Sequence, residues 1–186
     1  MAAPGGPREA PAAPDPQADA PSHPQPDGPA DRLAGEVVLA HNRVEVVHGV
    51  NLDMLGQRDP EQYGTLTLAE LERHISEWAG ALGLQTRFFQ TNFEGELIEH
   101  LHSLRDMADA IVINPGAWAH YAWAISDALQ IAALPAVEVH LSDVKAREPW
   151  RRVSVIEDLC VASVAGRGAE GYREALELLR RHLAGQ

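Results

Sequence analysis

Polar side chains follow three short apolar runs of this sequence, and their types could support acid-base and anion-binding chemistry. The runs cover residues 44–48, 110–114 and 136–140. Their length and flanking breakers are typical of buried parallel strands, and ligands bind at the carboxyl ends of such strands. The polar residues at or beyond these ends are His48, Asn51, Asn114, His120, His140, Ser142, Arg147 and Arg151. The pattern predicts one site that is assembled from several strand ends.

His140 is the histidine that is hardest to explain as a purely structural residue. It lies two residues after Glu138 in the third of these runs. Alternate residues of a regular strand point to the same side, so the carboxylate could orient the imidazole. The pair is therefore a candidate for a functional histidine with an orienting acid.

Tyr63 is a second candidate, because it shares the long loop 52–66 with Arg58. Loops of this length are often lids or binding loops rather than simple connections. A cation near a tyrosine favours the phenolate over the neutral phenol, and a phenolate could act as a general base. The alternative is a tyrosine whose ring only packs on the edge of the sheet.

Several other candidates also have structural interpretations. Asn114 precedes a Pro-Gly pair and could hydrogen-bond within its own turn. His120 could simply be the first residue of a helix, and Arg147 and Arg151 could be surface residues. Their common position after predicted strands favours a site, because buried polar groups are costly without a partner or a ligand.

The elements that must position these residues alternate between strand and helix. The predicted strands cover residues 44–48, 86–89, 110–114, 136–140 and 159–164. A Thr67-x-x-Glu70 capping box predicts the start of a helix that stops at Gly83. Further helices are predicted from residue 94 or 95, over 120–133 and over 169–183. Because no hairpin signal interrupts the alternation, we expect a flavodoxin-like, doubly wound α/β fold with a five-stranded parallel sheet and helices on both faces.

Composition divides the chain into two parts. Residues 1–35 contain nine of the thirteen prolines and no aromatic residue. Such a segment cannot bury enough apolar surface to offset its ordering entropy, so we expect a disordered tail there and a single α/β domain over residues 36–186. A further extended piece is predicted at 37–40. No apolar stretch has the length of a signal-peptide core or a membrane span, which predicts a cytoplasmic protein.

The charge balance limits the possible partners. The net charge is −12, and residues 1–35 hold five acids and two arginines, which leaves about −9 on the predicted domain. Nucleic acids and anionic membranes need a basic face, so neither is expected as a partner, although local arginines could bind a small anion. Cys160 is the only cysteine. Its apolar surroundings predict a buried structural thiol.

Two patterns resemble cofactor sites without satisfying their requirements. The G-x-G-x-x-G pattern at 166–171 follows a strand and opens a helix. The rest of a dinucleotide-binding βαβ unit is missing after it, so we interpret it as a tight turn with close helix packing. His100 and His102 are two residues apart and face different sides of a helix, which does not make a metal pair.

Four spaced motifs carry a family resemblance. They are HGVNLDMLGQRDPEQYG at 48–64, EGELI at 94–98, INPGAWAH at 113–120, and EVHLSD at 138–143 followed by AREPWR at 146–151. In this order and spacing, the chain from Val44 to Leu183 resembles the type II 3-dehydroquinate dehydratases, lyases of the shikimate pathway to the aromatic amino acids.

The resemblance implies an enzyme that dehydrates 3-dehydroquinate to 3-dehydroshikimate by anti elimination through an enolate. Tyr63 matches the base of the family, and Arg58 matches the residue that favours its ionised form. His140 matches the acid that protonates the departing hydroxyl, and Glu138 the carboxylate that orients this histidine. Asn114 matches the residue that helps to stabilise the enolate.

The resemblance also implies substrate-binding residues and an assembly. Asn51 would lie at the wall of the site, and Arg147 would close over the site together with the loop. The residues that would hold the carboxylate and hydroxyls of the substrate are His120, Leu141, Ser142 and Arg151. Asp127 matches a residue that reaches the site of a neighbouring subunit, so a homododecamer built from trimers is implied.

No metal or organic cofactor is implied by this resemblance. The lysine-dependent route to the same product is not expected either, because Lys145 is the only lysine and lies in a polar loop. The partner that we expect is a small cyclic hydroxy carboxylate.

Departures from the family pattern lie close to the expected site. They are His48, Val50, Trp118, Tyr121, Ala122 and Asp143. All the residues that match catalytic roles are kept, which favours an active dehydratase. Two alternatives stay open: a non-catalytic or substrate-shifted relative that binds a cyclic hydroxy carboxylate, and a flavodoxin-like electron carrier.

Overall fold

The computed structural model describes residues 41–185 of the chain. The predicted tail at 1–35 and the predicted extended piece at 37–40 lie outside the described residues. No helix within the described residues has both the length and the apolar character that a membrane crossing requires.

A five-stranded parallel sheet forms the centre of the fold. Its strands are β1 (Arg43–His48), β2 (Gln85–Gln90), β3 (Ala110–Asn114), β4 (Ala136–His140) and β5 (Ala162–Ala165). They lie in the order β2-β1-β3-β4-β5, and every neighbouring pair is parallel. This is the flavodoxin-like strand order, and the predicted fold is confirmed.

Five α-helices connect and cover the strands. They are α1 (Pro60–Tyr63), α2 (Leu68–Ala81), α3 (Glu94–Ser103), α4 (Trp123–Ala132) and α5 (Glu170–Ala184). Short 3₁₀ turns cover Leu104–Asp106, Gly116–His120, Val144–Ala146, Pro149–Arg152 and Glu157–Leu159. Four of these turns lie in the loops that follow β3 and β4.

The core has two layers, one on each face of the sheet. Helices α2 and α5 cover the face that receives Val44, Val46 and Val112, while α3 and α4 cover the face that receives Val47 and Ile113. Side chains of successive strand residues alternate between the faces, so both sides of the sheet are apolar. This double layer holds the carboxyl ends of β1, β3 and β4 at fixed positions.

The start of α2 confirms the predicted capping box. The Glu70 amide donates to Thr67 Oγ1 at 3.3 Å, and the Thr67 amide donates to Glu70 Oε2 at 2.8 Å. These bonds stabilise the charged carboxylate and hold the pKa of Glu70 below its ordinary value. The cap therefore ends the loop 52–66 at a defined point.

Two predicted boundaries were wrong, and one predicted loop contains a helix. The helix that we expected to begin at His120 begins at Trp123, because Gly116–His120 forms a 3₁₀ turn that ends at an irregular Ala122. The fifth strand begins at Ala162, where pairing with β4 starts, rather than at Leu159. The loop 52–66 contains the short helix α1, for which Asp59 provides the N-cap and Pro60 the first residue.

Candidate active site

A cavity opens beyond the carboxyl ends of β1, β3 and β4. Its volume is about 130 Å³, close to engineered cavities of about 150 Å³ that accept one benzene ring. It is lined by Val50, Asn51, Leu52, Arg58, Tyr63, Asn114, Gly116, Ala117, His120, His140, Leu141, Ser142, Val144, Arg147 and Arg151. A cavity of this volume can hold one small ring.

Two glycines let the loops after β1 and β3 cross closely at the floor of this cavity. A Cβ atom on Gly49 would lie 2.5 Å from the Pro115 carbonyl oxygen, and a Cβ atom on Gly116 would lie 2.7 Å from the Val50 carbonyl oxygen. Gly116 also has a φ of 64°, which L-residues rarely adopt. The Gly49 amide donates to the Asn114 carbonyl at 2.8 Å and joins the two strand ends.

The side chain of Asn114 is held on both sides of its carboxamide. The Gly116 amide donates to Asn114 Oδ1 at 3.2 Å, and Asn114 Nδ2 donates to the Tyr172 hydroxyl at 3.1 Å. The first of these bonds is the turn contact that the structural interpretation of Asn114 predicted. The same residue also lines the cavity, so one hydrogen of Nδ2 is left to point at a ligand.

Tyr63 meets two arginines from different segments of the chain. The Arg58 guanidinium lies 3.8 Å from the centre of the Tyr63 ring. Arg147 Nη1 donates to the Tyr63 hydroxyl oxygen at 2.9 Å and to Ser142 Oγ at 3.2 Å. The loop that contains α1 and the loop after β4 therefore touch over the cavity. Two guanidinium groups therefore lie beside one phenol.

His140 and Glu138 form a buried pair at the end of β4. His140 Nε2 lies 2.8 Å from Glu138 Oε1, and both side chains are almost completely buried. Ser154 donates its hydroxyl to the same carboxylate oxygen at 2.8 Å and accepts a hydrogen bond from the Ile156 amide. Glu138 lies behind His140 rather than in the cavity wall. The pair leaves His140 Nδ1 for a ligand, with the ring orientation held by the carboxylate.

His120 approaches the cavity from the 3₁₀ turn after β3. Its Nδ1 lies 2.7 Å from the Val153 carbonyl oxygen, so this nitrogen carries the hydrogen and Nε2 is left with a lone pair. The ring stacks with that of His140 at 6.0 Å, and the edge of Trp150 contacts it. Burial is the main cause that lowers the pKa of His120. A neutral His120 can accept a hydrogen bond from a hydroxyl in the cavity.

Two further candidates, Arg151 and Asn51, also line the cavity. Arg151 donates to Glu148 Oε2 at 2.8 Å, and its guanidinium lies 4.0 Å from the centre of the Trp150 ring. Asn51 adopts a φ of 65°, and its amide donates to Asn92 Oδ1 at 2.7 Å. Both residues have fixed surroundings, and both leave side-chain groups for a ligand.

Besides Glu138, two other sequence candidates do not reach the cavity. Asp127 is exposed on α4 and is absent from the cavity wall. His48 was expected near the site because it ends β1. Its side chain is instead fully buried in the core, against Phe88 and Tyr172. Its side chain packs in the core beside Glu72 of α2 and Tyr172 of α5 and does not line the cavity, so this expectation was wrong.

Two residues that hydrogen-bond to site residues without lining the cavity were not predicted from the sequence. Ser154 holds Glu138, and nothing in its local sequence marks it. Tyr172 lies on the buried stripe of α5 that also contains Leu176, Leu179 and Leu183. A hydroxyl on an otherwise apolar stripe needs a buried partner, so the sequence did contain this signal.

The patterns that resembled cofactor sites have structural explanations. Gly166 and Gly168 adopt positive φ, and the Gly166 amide donates to the His140 and Ser142 carbonyls, which makes a tight turn beside β4. His100 contacts Glu45 at 2.8 Å and stacks on Phe89. Among residues 41–185, no group of three or more His, Cys, Asp or Glu side chains is arranged to hold a metal ion.

Cys160 is only partly buried, on the face of the sheet that α3 and α4 cover. Burial and the nearby charge of Glu138 raise the pKa of its thiol to about 12. The thiol is therefore protonated at neutral pH and is a poor nucleophile.

Comparisons with known proteins agree with this geometry. The family model described as "Dehydroquinase class II" matches residues 42–180. The 3-dehydroquinate dehydratase of Syntrophotalea carbinolica is 48% identical over 135 residues, which are 72% of this chain and 91% of that protein. The 3-dehydroquinate dehydratase 2 of Pseudomonas putida is 49% identical over 143 residues, which are 75% of this chain and 96% of that protein.

Solved structures give the same result. The type II dehydroquinase from Propionibacterium acnes superimposes with a TM-score of 0.72 and 38% sequence identity, over 76% of this chain and 99% of that one. The family model covers most of the chain, and the relatives are covered almost completely. The chain belongs to the class II dehydroquinase family.

Proposed function

We propose that this protein dehydrates 3-dehydroquinate to 3-dehydroshikimate. Membership of the family supports the reaction, and one observation of this chain carries the proposal. Tyr63, beside two arginines, and His140, beside a carboxylate, line one cavity that has the size of a single ring. The elimination needs one group to remove a proton and a second group to deliver one, and this cavity brings such a pair together.

The first step is removal of the proton alpha to the ketone of the substrate. Tyr63, as the phenolate, takes this proton, and the electron pair of the broken C–H bond moves to the ketone oxygen and forms an enolate. Arg58 and Arg147 provide the positive charge beside the phenolate. Asn114 donates Nδ2–H toward the enolate, directly or through a water, because its other bonds leave that hydrogen for the cavity.

The second step is loss of the hydroxyl group beta to the ketone. The enolate electrons return to form the carbon-carbon double bond, and the C–O bond breaks. His140 donates a proton to the departing oxygen, which leaves as water. Glu138 holds the ring so that the donating nitrogen faces the ligand. Proton exchange with solvent then restores Tyr63 and His140. In this scheme the acid and the base act on opposite faces of the substrate, as an anti elimination requires.

Other cavity residues hold the substrate in this scheme. The neutral His120 and the guanidinium of Arg151 bind hydroxyls and carboxylate, together with the backbone amides of Leu141 and Ser142. Asn51 contributes to the wall near the entrance. Arg147 bridges Tyr63 and Ser142 and so closes the cavity when the loop 52–66 is in place. None of these steps uses a cofactor.

We further propose that Asp127 completes the site of a neighbouring subunit in a trimer-based dodecamer. Asp127 lies on an exposed face of α4, where Trp123 is 67% and Ile131 59% exposed. Large apolar side chains grouped on one surface are typical of contact surfaces. The role of Asp127 in the family, together with this surface, supports assembly into a homo-oligomer.

The two alternatives make different predictions. A non-catalytic or substrate-shifted relative would use the same cavity for binding and would show no turnover of 3-dehydroquinate. A flavodoxin-like electron carrier would bind a flavin. Purified protein that carries no visible flavin absorbance would exclude the second alternative.

The decisive experiment is a continuous absorbance assay. Purified protein is mixed with 3-dehydroquinate, and the conjugated enone of the product is followed in the ultraviolet. We expect turnover with kcat in the ordinary range of about 1–10³ s⁻¹. No enone signal at high protein concentration, together with measurable binding of the substrate by calorimetry, would reject the dehydratase in favour of the binding protein.

A further inference from the structure

A buried chain of hydrogen bonds runs from the cavity into the core behind it. Its members are Asn114 at the end of β3, Tyr172 on α5 and His48 at the end of β1. His48 and Asn114 are level with each other in the parallel register of β1 and β3. All three side chains are almost completely buried, and only Asn114 reaches the cavity.

The direction of every bond in this chain follows from the groups involved. The Gly116 amide can only donate, so the atom of Asn114 at 3.2 Å must be its oxygen. The other end of the carboxamide then donates to the Tyr172 oxygen at 3.1 Å. Because that oxygen accepts from Asn114, the Tyr172 hydrogen points to His48 Nδ1, which lies 3.3 Å away.

His48 must therefore be neutral, with its hydrogen on Nε2. Full burial supports this state, since it lowers the pKa of His48 to about 3. The Nε2 atom has no hydrogen-bond partner within the described residues, and its nearest acid is Glu72 at 3.8 Å. Glu72 is itself partly buried, which raises the pKa of its carboxyl group. His48 thus acts toward Tyr172 only as an acceptor.

We infer that Tyr172 and His48 are positioning residues that hold the Asn114 carboxamide in the orientation needed to stabilise the enolate. The inference rests on the proposed function, because this orientation of Asn114 matters only if an enolate forms in the cavity. With one Nδ2 hydrogen bound to Tyr172 and Oδ1 bound to Gly116, the second Nδ2 hydrogen is directed to the cavity. A carboxamide without the Tyr172 bond can rotate and lose this alignment.

The test compares Tyr172→Phe, Asn114→Ala and the double variant. Asn114→Ala removes the donor, and we expect kcat to fall about 10²–10³-fold, as for other donors to an oxyanion. Tyr172→Phe keeps the ring but removes the acceptor, and we expect kcat to fall about 10-fold while KM changes less than about two-fold. In the Asn114→Ala background, Tyr172→Phe should change kcat by less than about two-fold.

The double variant separates positioning from a general structural role. A Tyr172→Phe effect of the same size with and without Asn114 would overturn the inference. Tyr121→Phe is the matched control, since this exposed tyrosine lies outside the cavity wall, and its kcat should equal that of the unmodified protein. For His48, we expect His48→Gln, which keeps an acceptor, to retain more kcat than His48→Leu. Equal kcat values for these two variants would show that His48 does not help to position Asn114.

A crystal structure of Tyr172→Phe gives a readout that does not depend on turnover. We expect the Asn114 carboxamide to be rotated or present in two orientations. An unchanged carboxamide would overturn the inference even if the protein had no dehydratase activity. Absence of turnover in the unmodified protein, with a rotated carboxamide in the variant, would instead reject only the proposed function.

Discussion

At the scale of single residues, the site consists of groups that are each held by a second group. Glu138 holds His140, Ser154 holds Glu138, and Tyr172 holds Asn114. A reactive side chain that is fixed before the substrate arrives loses less entropy in the reaction, and its polar atoms point where charge develops. The residues that hold a site residue in place are therefore as informative about function as the residues that line the cavity.

Tyr63 provides the sharpest residue-scale prediction. Tyr63→Phe removes the proposed base but leaves the ring beneath the Arg58 guanidinium. We expect kcat to fall about 10²–10⁴-fold, the usual contribution of a general base, with little change in substrate affinity. The enone assay measures turnover, and calorimetry measures binding. Retention of more than half of the turnover would reject the assignment of the base.

At the scale of elements, the site depends on where the loops after β1, β3 and β4 end. The chain leaves the sheet at His48, and the loop 52–66 ends at the capping box of α2, with Tyr63 at the end of the one-turn helix α1 within the loop. Its Tyr63 contacts Arg147, which belongs to the loop after β4. The rigid ends of this loop therefore decide how Tyr63 approaches the substrate.

The capping box allows a prediction for the element that anchors this loop. Thr67→Ala removes the hydroxyl that accepts from the Glu70 amide. Loss of such a cap costs about 1 kcal/mol of the free energy of unfolding, which urea unfolding at constant protein concentration can measure. Thr65→Ala is the control, because Thr65 is exposed and precedes the cap. Equal stability of the two variants would contradict the stabilising role of the box.

At the scale of the whole molecule, burial of neutral His48 makes stability depend on pH. The pKa of His48 falls from 6.5 in the unfolded chain to about 3 in the folded protein. Between these values the unfolded chain binds a proton that the folded protein does not bind. The free energy of unfolding therefore decreases as the pH falls from 6.5 toward 3, and above 6.5 this residue adds no slope.

We expect this single residue to contribute a slope of up to about 1.4 kcal/mol per pH unit. The measurement is urea unfolding across this pH range, at a fixed protein concentration. His48→Asn should lose this part of the slope, whereas His102→Asn, which changes an exposed histidine of α3, should keep it. A His48→Asn protein as sensitive to acid as the unmodified protein would contradict the assignment.

Assembly is the second property of the whole molecule that can be tested. Ile131→Glu places a charge on the exposed apolar face of α4 that also holds Trp123 and Asp127. We expect native mass spectrometry to show the loss of the large assembly, with a parallel decrease in kcat/KM, because Asp127 no longer reaches a neighbouring site. Arg181→Glu, an exposed charge change on α5, is the control. An unchanged mass for Ile131→Glu would exclude this face as the contact.

Much of the fold could be predicted because its signals are local. The run 110–114 was placed correctly because four consecutive apolar residues before a Pro-Gly turn are typical of a short buried strand. The capping box marked the start of α2 because both its bonds join residues three apart. The predicted starts of a helix at His120 and of a strand at Leu159 were wrong, because both residues belong to 3₁₀ turns. Packing and strand pairing with distant residues decide where the following elements begin.

The sequence by itself determined the α/β fold, the family and the set of polar residues after the strands, because periodicity, caps and motifs are properties of neighbouring residues. Only the tertiary structure decided which of these residues meet. It turned His48 into the core, and it placed Ser154 and Tyr172 behind Glu138 and Asn114. It also brought Arg147 onto Tyr63 from a segment far away in the chain. Such contacts depend on how helices and loops pack across the sheet. No local pattern of residues encodes which distant residues this packing brings together.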